Sequence, residues 1–291
     1  MKESEINTEP WASDCPAQDQ YYGDSNFFQG DDFSCRYNLT RRGPFRIIYI
    51  PYGPNFENLD GLKNFIKWIN SFKFTKVKID LYRIYKDEPE ALSLIKSAGF
   101  KPTMYSQDAK TSIVTEQSFE PNSRAKRYIR SASKHHQPLN LSDGGGQELK
   151  VIDRCYEIYK QSCQLKGYQL KRTKKYFYQL AEHGILSVVK DSKTEEINCF
   201  LLSDVRRVST DKGIKKVAYL VFTAMTEEGR KLHLGFLATA SQFEYIFNNK
   251  LADEADFMGF SEEKGKHSIF KTKFGNQIID LAGSFERFKF L

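Results

Sequence analysis

The sequence predicts a mixed α/β protein in which one run of elements, strand–helix–strand–helix–strand, occurs twice. Three observations carry this. Apolar residues make up 40% of the 291 residues and charged residues 28%, enough apolar surface to offset the entropy of ordering most of the chain. From Phe45 onward, stretches with apolar side chains at every second position alternate with stretches where they recur at every third or fourth, the periods of strand and helix. The order of these stretches over Phe45–Thr115 matches that over Lys216–Ala282, although the residues themselves correspond poorly; such a match points to an internal duplication.

Residues 1–40 hold two basic and eight acidic side chains, a net of −6, and show neither period. Irregular structure is expected there, anchored by Trp11, Tyr21, Tyr22, Phe27 and Phe28. Phe45–Ile50 reads as a buried strand, stopped by Pro51-Tyr52-Gly53-Pro54 because proline cannot donate to a central ladder. Leu59, Leu62, Phe65, Ile66, Ile69 and Phe72 form the apolar stripe of a helix. Val77–Tyr82 alternates as a strand, Pro89–Ser97 reads as a helix closed by Gly99 at C′, and Thr111–Thr115 is a short strand.

The second half opens with helices over 124–134, 147–166 and 174–182, the first two separated by the breaker Asp143-Gly144-Gly145-Gly146. Strands follow over 185–190, 197–204 and 216–222. Phe236, Leu237, Ala240, Phe243 and Phe247 mark a helix, 255–258 a short strand, 262–273 a helical segment and 277–282 a last strand. The first copy is therefore read as lacking the leading helices and strands of the second. This gives an acidic segment over 1–40, a reduced first domain over 41–120 and a complete second domain over 121–291.

Several classes are excluded by what the residues lack. No run approaches the roughly 18 apolar residues of a membrane span, and Met1–Gln20 has no apolar signal core, so a cytoplasmic location is expected. The five cysteines are odd in number and without CxxC spacing, which reads as reduced thiols. His135 and His136 are adjacent, so their rings diverge, and no metal is expected. The sequence contains no GxSxG elbow, no GxxxxGK[ST] loop and no GxGxxG, so hydrolase, P-loop and Rossmann readings have no support.

Two constellations remain. Residues 121–180 hold thirteen basic against four acidic side chains, a net of +9, which suits a polyanion or a set of solvated helix faces. Within it Arg124, Arg127 and Arg130 follow at spacings of three, and Lys126 lies four before Arg130, giving one basic helix face able to hold phosphates. The other constellation is Phe257-x-Gly259 followed by Ile269-Phe270-Lys271-Thr272-Lys273-Phe274-Gly275. There Phe270 and Phe274 would anchor a helical turn while Lys271 points elsewhere.

Tyr49-Ile50-Pro51-Tyr52-Gly53-Pro54, Leu94-Ile95-Lys96-Ser97-Ala98-Gly99-Phe100, Arg127-Tyr128-Ile129-Arg130-Ser131-Ala132, Asp256-Phe257-Met258-Gly259 and Phe270-Lys271-Thr272-Lys273-Phe274-Gly275, in that order, resemble the FemABX family. The resemblance runs from about Phe45 to the C-terminus, and the Phe-Lys-x-x-Phe-Gly end is its most specific part. It implies two GNAT-like domains, the first reduced, each with a mixed central sheet flanked by helices. It further implies an aminoacyl-tRNA-dependent transferase that adds an amino acid to the stem peptide of a peptidoglycan precursor, nucleotide-linked or lipid-linked. Peripheral contact with the inner membrane face is a further expectation. Aminoacyl-tRNA is the co-substrate, and no other cofactor is implied.

Carried over residue by residue, the resemblance gives Lys271 and Phe270 the catalytic role, and makes Arg172, Tyr176 and Tyr219 substrate-binding. Arg124, Lys126, Arg127 and Arg130, with the cluster over 171–175, are read as meeting tRNA phosphates. No general base is assigned; Asp256 is the nearest carboxylate in the motif. Two departures stand out. The family's opening Trp followed by a Lys that faces the precursor is reduced to Trp11 and an acidic stretch, and the long coiled-coil arm of some members is missing. Two other readings follow from the residues. An acyl-CoA-dependent GNAT enzyme needs a glycine where Arg230-Lys231-Leu232-His233-Leu234-Gly235 has His233. A non-catalytic RNA-binding protein would use the +9 segment alone.

Overall fold

The computed structural model describes residues 25–30, 32–50, 53–56, 58–85, 89–103, 110–142, 149–167, 170, 174–210, 213–258, 260 and 269–289. Within them the chain begins with a hairpin of β1 (Ser25–Gln29) and β2 (Phe33–Arg42). This corrects the irregular structure expected through residue 40. Phe33, Cys35, Tyr37 and Leu39 do alternate, and they face the first core, where Phe28 and Tyr37 pack on Trp68 with ring centroids 4.6 and 5.5 Å away. The strand period was present beneath an acidic composition. The expected anchors Trp11, Tyr21 and Tyr22 lie outside the described residues.

β3 (Phe45–Ile50), the short β4 (Asn55–Phe56), α1 (Leu59–Asn70) and β5 (Thr75–Tyr85) follow. Asn58 caps α1 by accepting from the backbone N–H groups of Asp60 and Gly61, and Leu62, Phe65 and Ile69 are its buried stripe. α2 spans Pro89–Ser97 and closes at Gly99 with φ +84°, where the Phe100 and Gly99 N–H groups reach back to Ile95 and Lys96. β6 (Lys101–Pro102) and β7 (Lys110–Thr115) complete the first unit.

The second unit holds α3 (Ser123–Ala132), β8 (His136–Ser142), α4 (Leu149–Lys166), α5 (Lys174–His183), β9 (Gly184–Asp191), β10 (Ile197–Thr210) and β11 (Gly213–Met225). After these come α6 (Glu227–Lys231), α7 (Leu234–Asn248), β12 (Glu254–Asp256), a helical turn over 269–271 and β13 (Gln277–Lys289). The remainder of the helix expected over 262–273 falls partly outside the described residues. β8 was not foreseen: it is an edge strand, largely solvent-facing, and admits Pro138. β10, β11 and β13 run well past their expected ends.

All thirteen described strands form one mixed sheet in the order β1-β2-β3-β5-β13-β7-β12-β11-β10-β9-β8, with β4 and β6 attached to β2 and β13. β3 and β5 are parallel with α1 between them, and β11 and β12 are parallel with α7 between them, so the duplicated unit is real. The first copy is less reduced than expected, because β1 and β2 stand where β9 and β10 stand in the second. The units also exchange their last strands. β7, from the first, pairs with β12, and β13, from the second, pairs with β5. Each carries core with it: Phe285 of β13 lies in the first core and Val114 of β7 in the second.

The duplication extends to polar groups. Asp80 on β5 accepts hydrogen bonds from Tyr49 of β3 and from Ser284 of the exchanged β13. Asp256 on β12 accepts from Thr111 of the exchanged β7 and from the Met258 N–H at 2.7 Å. In each unit a carboxylate on the second parallel strand is thus tied to a hydroxyl of the incoming strand.

Candidate active site at the crossing of the two units

β12 pairs with β11 only from Val217 to Tyr219, opposite Glu254 to Asp256. Beyond that point β11 continues to Met225, whereas the chain leaving β12 follows β7 instead, with the Phe257 N–H donating to Ser112 at 2.9 Å and the Phe260 N–H to Lys110 at 2.8 Å. The two parallel strands therefore part and a wedge opens between them. Among the described residues no strand pairs with that edge of β11 past Tyr219.

Lys271 stands over this wedge. It is half-buried on the helical turn, and its Nζ donates to the carbonyl oxygens of Phe257, at 2.9 Å, and of Met258. The neighbouring aromatics hold the turn: Phe274 is fully buried, and the Phe270 ring contacts Phe236 at 4.8 Å and Phe274 at 5.3 Å. Gly275 follows at φ +74°, and a Cβ there would lie 1.9 Å from the Ser118 carbonyl oxygen, so only glycine fits. The Glu120 and Asn122 N–H groups reach the carbonyls of Phe274 and Lys273 at 3.2 and 2.9 Å, clamping the turn to the start of α3. Phe270 and Lys271 thus occupy one turn as the sequence suggested, the ring as an anchor and the ammonium at the opening.

Tyr219 is completely buried beside Met258, Val221 and Leu281, opposite Asp256 in register. It joins the Lys271 neighbourhood through Met258, whose carbonyl Lys271 contacts. Asp256 is also fully buried and held by Thr111 and the Met258 N–H, which makes it a strand-end fastener. Arg172 and Lys171 lie outside the described residues. Tyr176 is on α5, Lys174 close to it is exposed and ion-paired with Asp153 at 2.7 Å, and α5 packs with α4 against β9 and β10 in a cluster separate from the one that holds Phe270.

Arg124, Lys126, Arg127 and Arg130 are all exposed on α3. Lys126 pairs with Glu120 at 3.0 Å, while Arg124 and Arg127 flank the Tyr128 ring with Cζ 5.9 and 5.3 Å from its centroid. The two guanidinium groups hold the Tyr128 hydroxyl below the usual phenol range by hydrogen bonding to its ionised form. Thr226 caps α6, and His233 opens α7 at φ +57°. Its backbone takes the left-handed geometry a glycine would supply, and its imidazole lies 4.0 Å from the Tyr128 ring.

Cys35, Cys155, Cys163 and Cys199 are free and buried, and burial pushes the thiols of Cys35, Cys155 and Cys199 far up, so they are not nucleophiles. Sequence reasoning missed Gln242, a fully buried amide in the apolar face of α7. Its Nε2 donates to Ile185 O and Ser187 Oγ at 3.1 and 2.9 Å, and its Oε1 accepts from Ser203 at 2.6 Å, fixing α7 on β9 and β10. A polar residue inside an apolar helix stripe was the available signal.

No family model matches the chain, and no curated protein matches it. Among solved structures the chain is similar to FemX, with TM-score 0.71 and 16% identity over 99% of this chain and 94% of that one. It is also similar to the C-terminal domain (DUF2156) of a putative lysylphosphatidylglycerol synthetase from Agrobacterium fabrum, with TM-score 0.65 and 11% identity over 91% and 83%. L-PGS from Bacillus licheniformis gives TM-score 0.62 and 11% identity over 93% and 85%. The fold is FemABX-like and of GNAT type, and no helix among the described residues is long and apolar enough to cross a membrane.

Proposed function

We propose that the chain transfers an amino acid from aminoacyl-tRNA to the amine of a peptidoglycan-precursor stem peptide. The observation that supports this reading most is Lys271, an ammonium held over the wedge between parting parallel strands in a FemX-like fold. An aminoacyl ester is already activated. The acceptor amine attacks the ester carbonyl, a C–N bond forms, the C–O bond to the ribose breaks, and the leaving hydroxyl takes up a proton. Oriented reactants supply much of the acceleration, worth roughly 7–11 kcal/mol at best. Lys271 places positive charge where the carbonyl oxygen becomes negative, and the edge of β11 can align the acyl group.

A second acceptor, phosphatidylglycerol, is suggested by the name of one neighbour, a putative lysylphosphatidylglycerol synthetase. The test offers purified protein a pool of charged tRNAs with nucleotide-linked precursor, lipid-linked precursor or phosphatidylglycerol vesicles, and in parallel acetyl-CoA with the same acceptors, read by mass spectrometry. Amino-acid adducts on a precursor support the reading. Adducts on the lipid alone transfer it to that acceptor, and acetyl adducts alone replace it with the acyl-CoA enzyme.

A further inference from the structure

β10 and β11 pair residue against residue except at one place: Leu202 stands opposite Phe222 and Ser203 opposite Leu220, so Val221 is an extra residue on β11. Such a bulge bends the strand that carries it and tightens its twist. It falls two residues beyond Tyr219, the last residue of β11 that pairs with β12. The bend is thus built into one side of the wedge, where the wedge opens. Its place along the ladder has to be held, because a slip of one residue would turn every side chain beyond it to the other face.

The residues facing the bulge are held from α7. The Oε1 of the fully buried Gln242 accepts from the Ser203 hydroxyl at 2.6 Å, and its Nε2 donates to the Leu201 carbonyl at 3.3 Å. One amide therefore grips β10 on both sides of Leu202, where the ladder shifts. The same Nε2 reaches the Ile185 carbonyl and the Ser187 hydroxyl of β9, Ser187 donates to Asn140 of β8, and Asn140 donates to Ser241 of α7 at 2.9 Å. The network thus closes on its own helix after crossing three strands. An apolar side chain at 242 would also pack α7 on the sheet, as Phe243 and Ile246 do; the amide adds a fixed register, since its hydrogen bonds are all met in one alignment. The same helix carries Phe236, whose ring lies 4.8 Å from that of Phe270. α7 is accordingly tied to β11 through the bulge and to the turn that bears Lys271 through Phe236.

We propose that Gln242 is a positioning residue for transfer: by pinning Ser203 and Leu201 opposite the bulge at Val221, it sets the bend of the β11 edge and so the placement of the acyl group relative to Lys271. The proposal rests on the transferase reading, and adds to it a residue that acts on the site without touching it.

The test compares whole-protein variants by thermal unfolding, by hydrogen exchange over 219–224 and by single-turnover transfer from charged tRNA, the last two well below the midpoint. Gln242→Met alone strands the Ser187 and Ser203 hydroxyls and should lower the midpoint. Gln242→Met with Ser187→Ala and Ser203→Ala removes both partners of each side-chain bond, which should bring the midpoint back near that of the wild type. A merely structural role would restore exchange and transfer with it. Positioning does not: in the triple variant 219–224 should exchange at least roughly tenfold faster than in the wild type, and transfer should slow at least roughly fivefold while the half-saturating concentration of charged tRNA stays within about twofold. Ile246→Ala, buried on the same helix but outside the network, should leave both readouts within about twofold despite its lower midpoint. Wild-type values of either readout in the triple variant overturn the proposal, as does an equal loss in Ile246→Ala. Should the triple variant not fold, Ser203→Ala alone should speed exchange over 219–224 at least roughly threefold, and wild-type exchange there overturns the proposal. A wild type that transfers nothing from any charged tRNA overturns the transferase reading, and exchange over 219–224 then decides by itself whether Gln242 holds the bulge.

Discussion

Replacing Lys271 by Met keeps the aliphatic stem and removes only the ammonium, which makes it the sharpest probe of the wedge. The structure sets the magnitude. Nζ donates to the carbonyls of Phe257 and Met258, and hydrogen bonds from a charged group contribute about 1.5–3 kcal/mol when buried. The side chain is half-buried and water can replace part of the interaction, so a stability loss of about 1–2 kcal/mol is expected. At about 2–4 °C per kcal/mol for a chain of this general size, the thermal midpoint should fall by about 2–8 °C. Transfer of the amino acid from charged tRNA, followed under single-turnover conditions well below the lowered midpoint, should slow at least about tenfold, equivalent to about 1.4 kcal/mol of lost transition-state stabilisation. Lys271→Arg retains the charge in a different geometry and should fall between. A folded Met variant that transfers within about twofold of the wild-type rate removes Lys271 from the chemistry and leaves it as a fastener of the 257–258 strand end.

Three more outcomes follow from the same geometry. Phe274→Ala should cost about 3–5 kcal/mol by urea unfolding, because the ring is fully buried among Phe236, Phe243, Phe257 and Phe270; the half-exposed Phe270 should cost clearly less, and equal losses would contradict the packing described. Gly275→Ala should cost about 1–2 kcal/mol for the left-handed backbone and about 1–3 kcal/mol more for displacing the Ser118 carbonyl; a loss below about 1 kcal/mol would show that the turn is looser than its contacts. If the α3 face meets the acceptor arm with about five phosphate contacts in all, log K against log salt should have a slope near −4.5. Arg127→Glu with Arg130→Glu should flatten that slope by roughly one unit per lost contact, for all tRNAs alike; a slope near about −1, insensitive to both changes, would return this face to plain solvation.

What the sequence disclosed depends on how strongly each element is patterned by one-sided burial. α1, α2 and α7 could be placed from their apolar stripes, and Pro89–Ser97 with Gly99 agrees to the residue. β8 could not, since an exposed edge strand has no buried face to impose alternation. β2 was hidden by its acidic flanks although Phe33, Cys35, Tyr37 and Leu39 alternate cleanly. The turn was legible because it is linear: Phe270, Lys271, Phe274 and Gly275 lie close in sequence, and the spacing of the two rings pointed to an anchored turn with Lys271 directed elsewhere. The carbonyl partners of that ammonium come from fourteen and thirteen residues earlier. Thr111 reaches Asp256 across 145 residues. Contacts of that span leave no periodic trace in a single sequence.

The exchange of last strands explains why the ammonium stands where it does. Leaving β12 after Asp256, the chain bonds to β7 through Phe257 and Phe260, and β13 later runs beside both β7 and β5. β12 parts from β11 where that route begins. The turn over 269–275 then brings the chain back into the sheet, and its clamp to 118–122 ties it to the segment through which the first unit passes into the second. The wedge, the cation above it and the link between the units are therefore one construction. Phe285 and Val114, each buried in the other unit's core, hold it closed from both sides, so the position of Lys271 is set by the packing of the whole molecule.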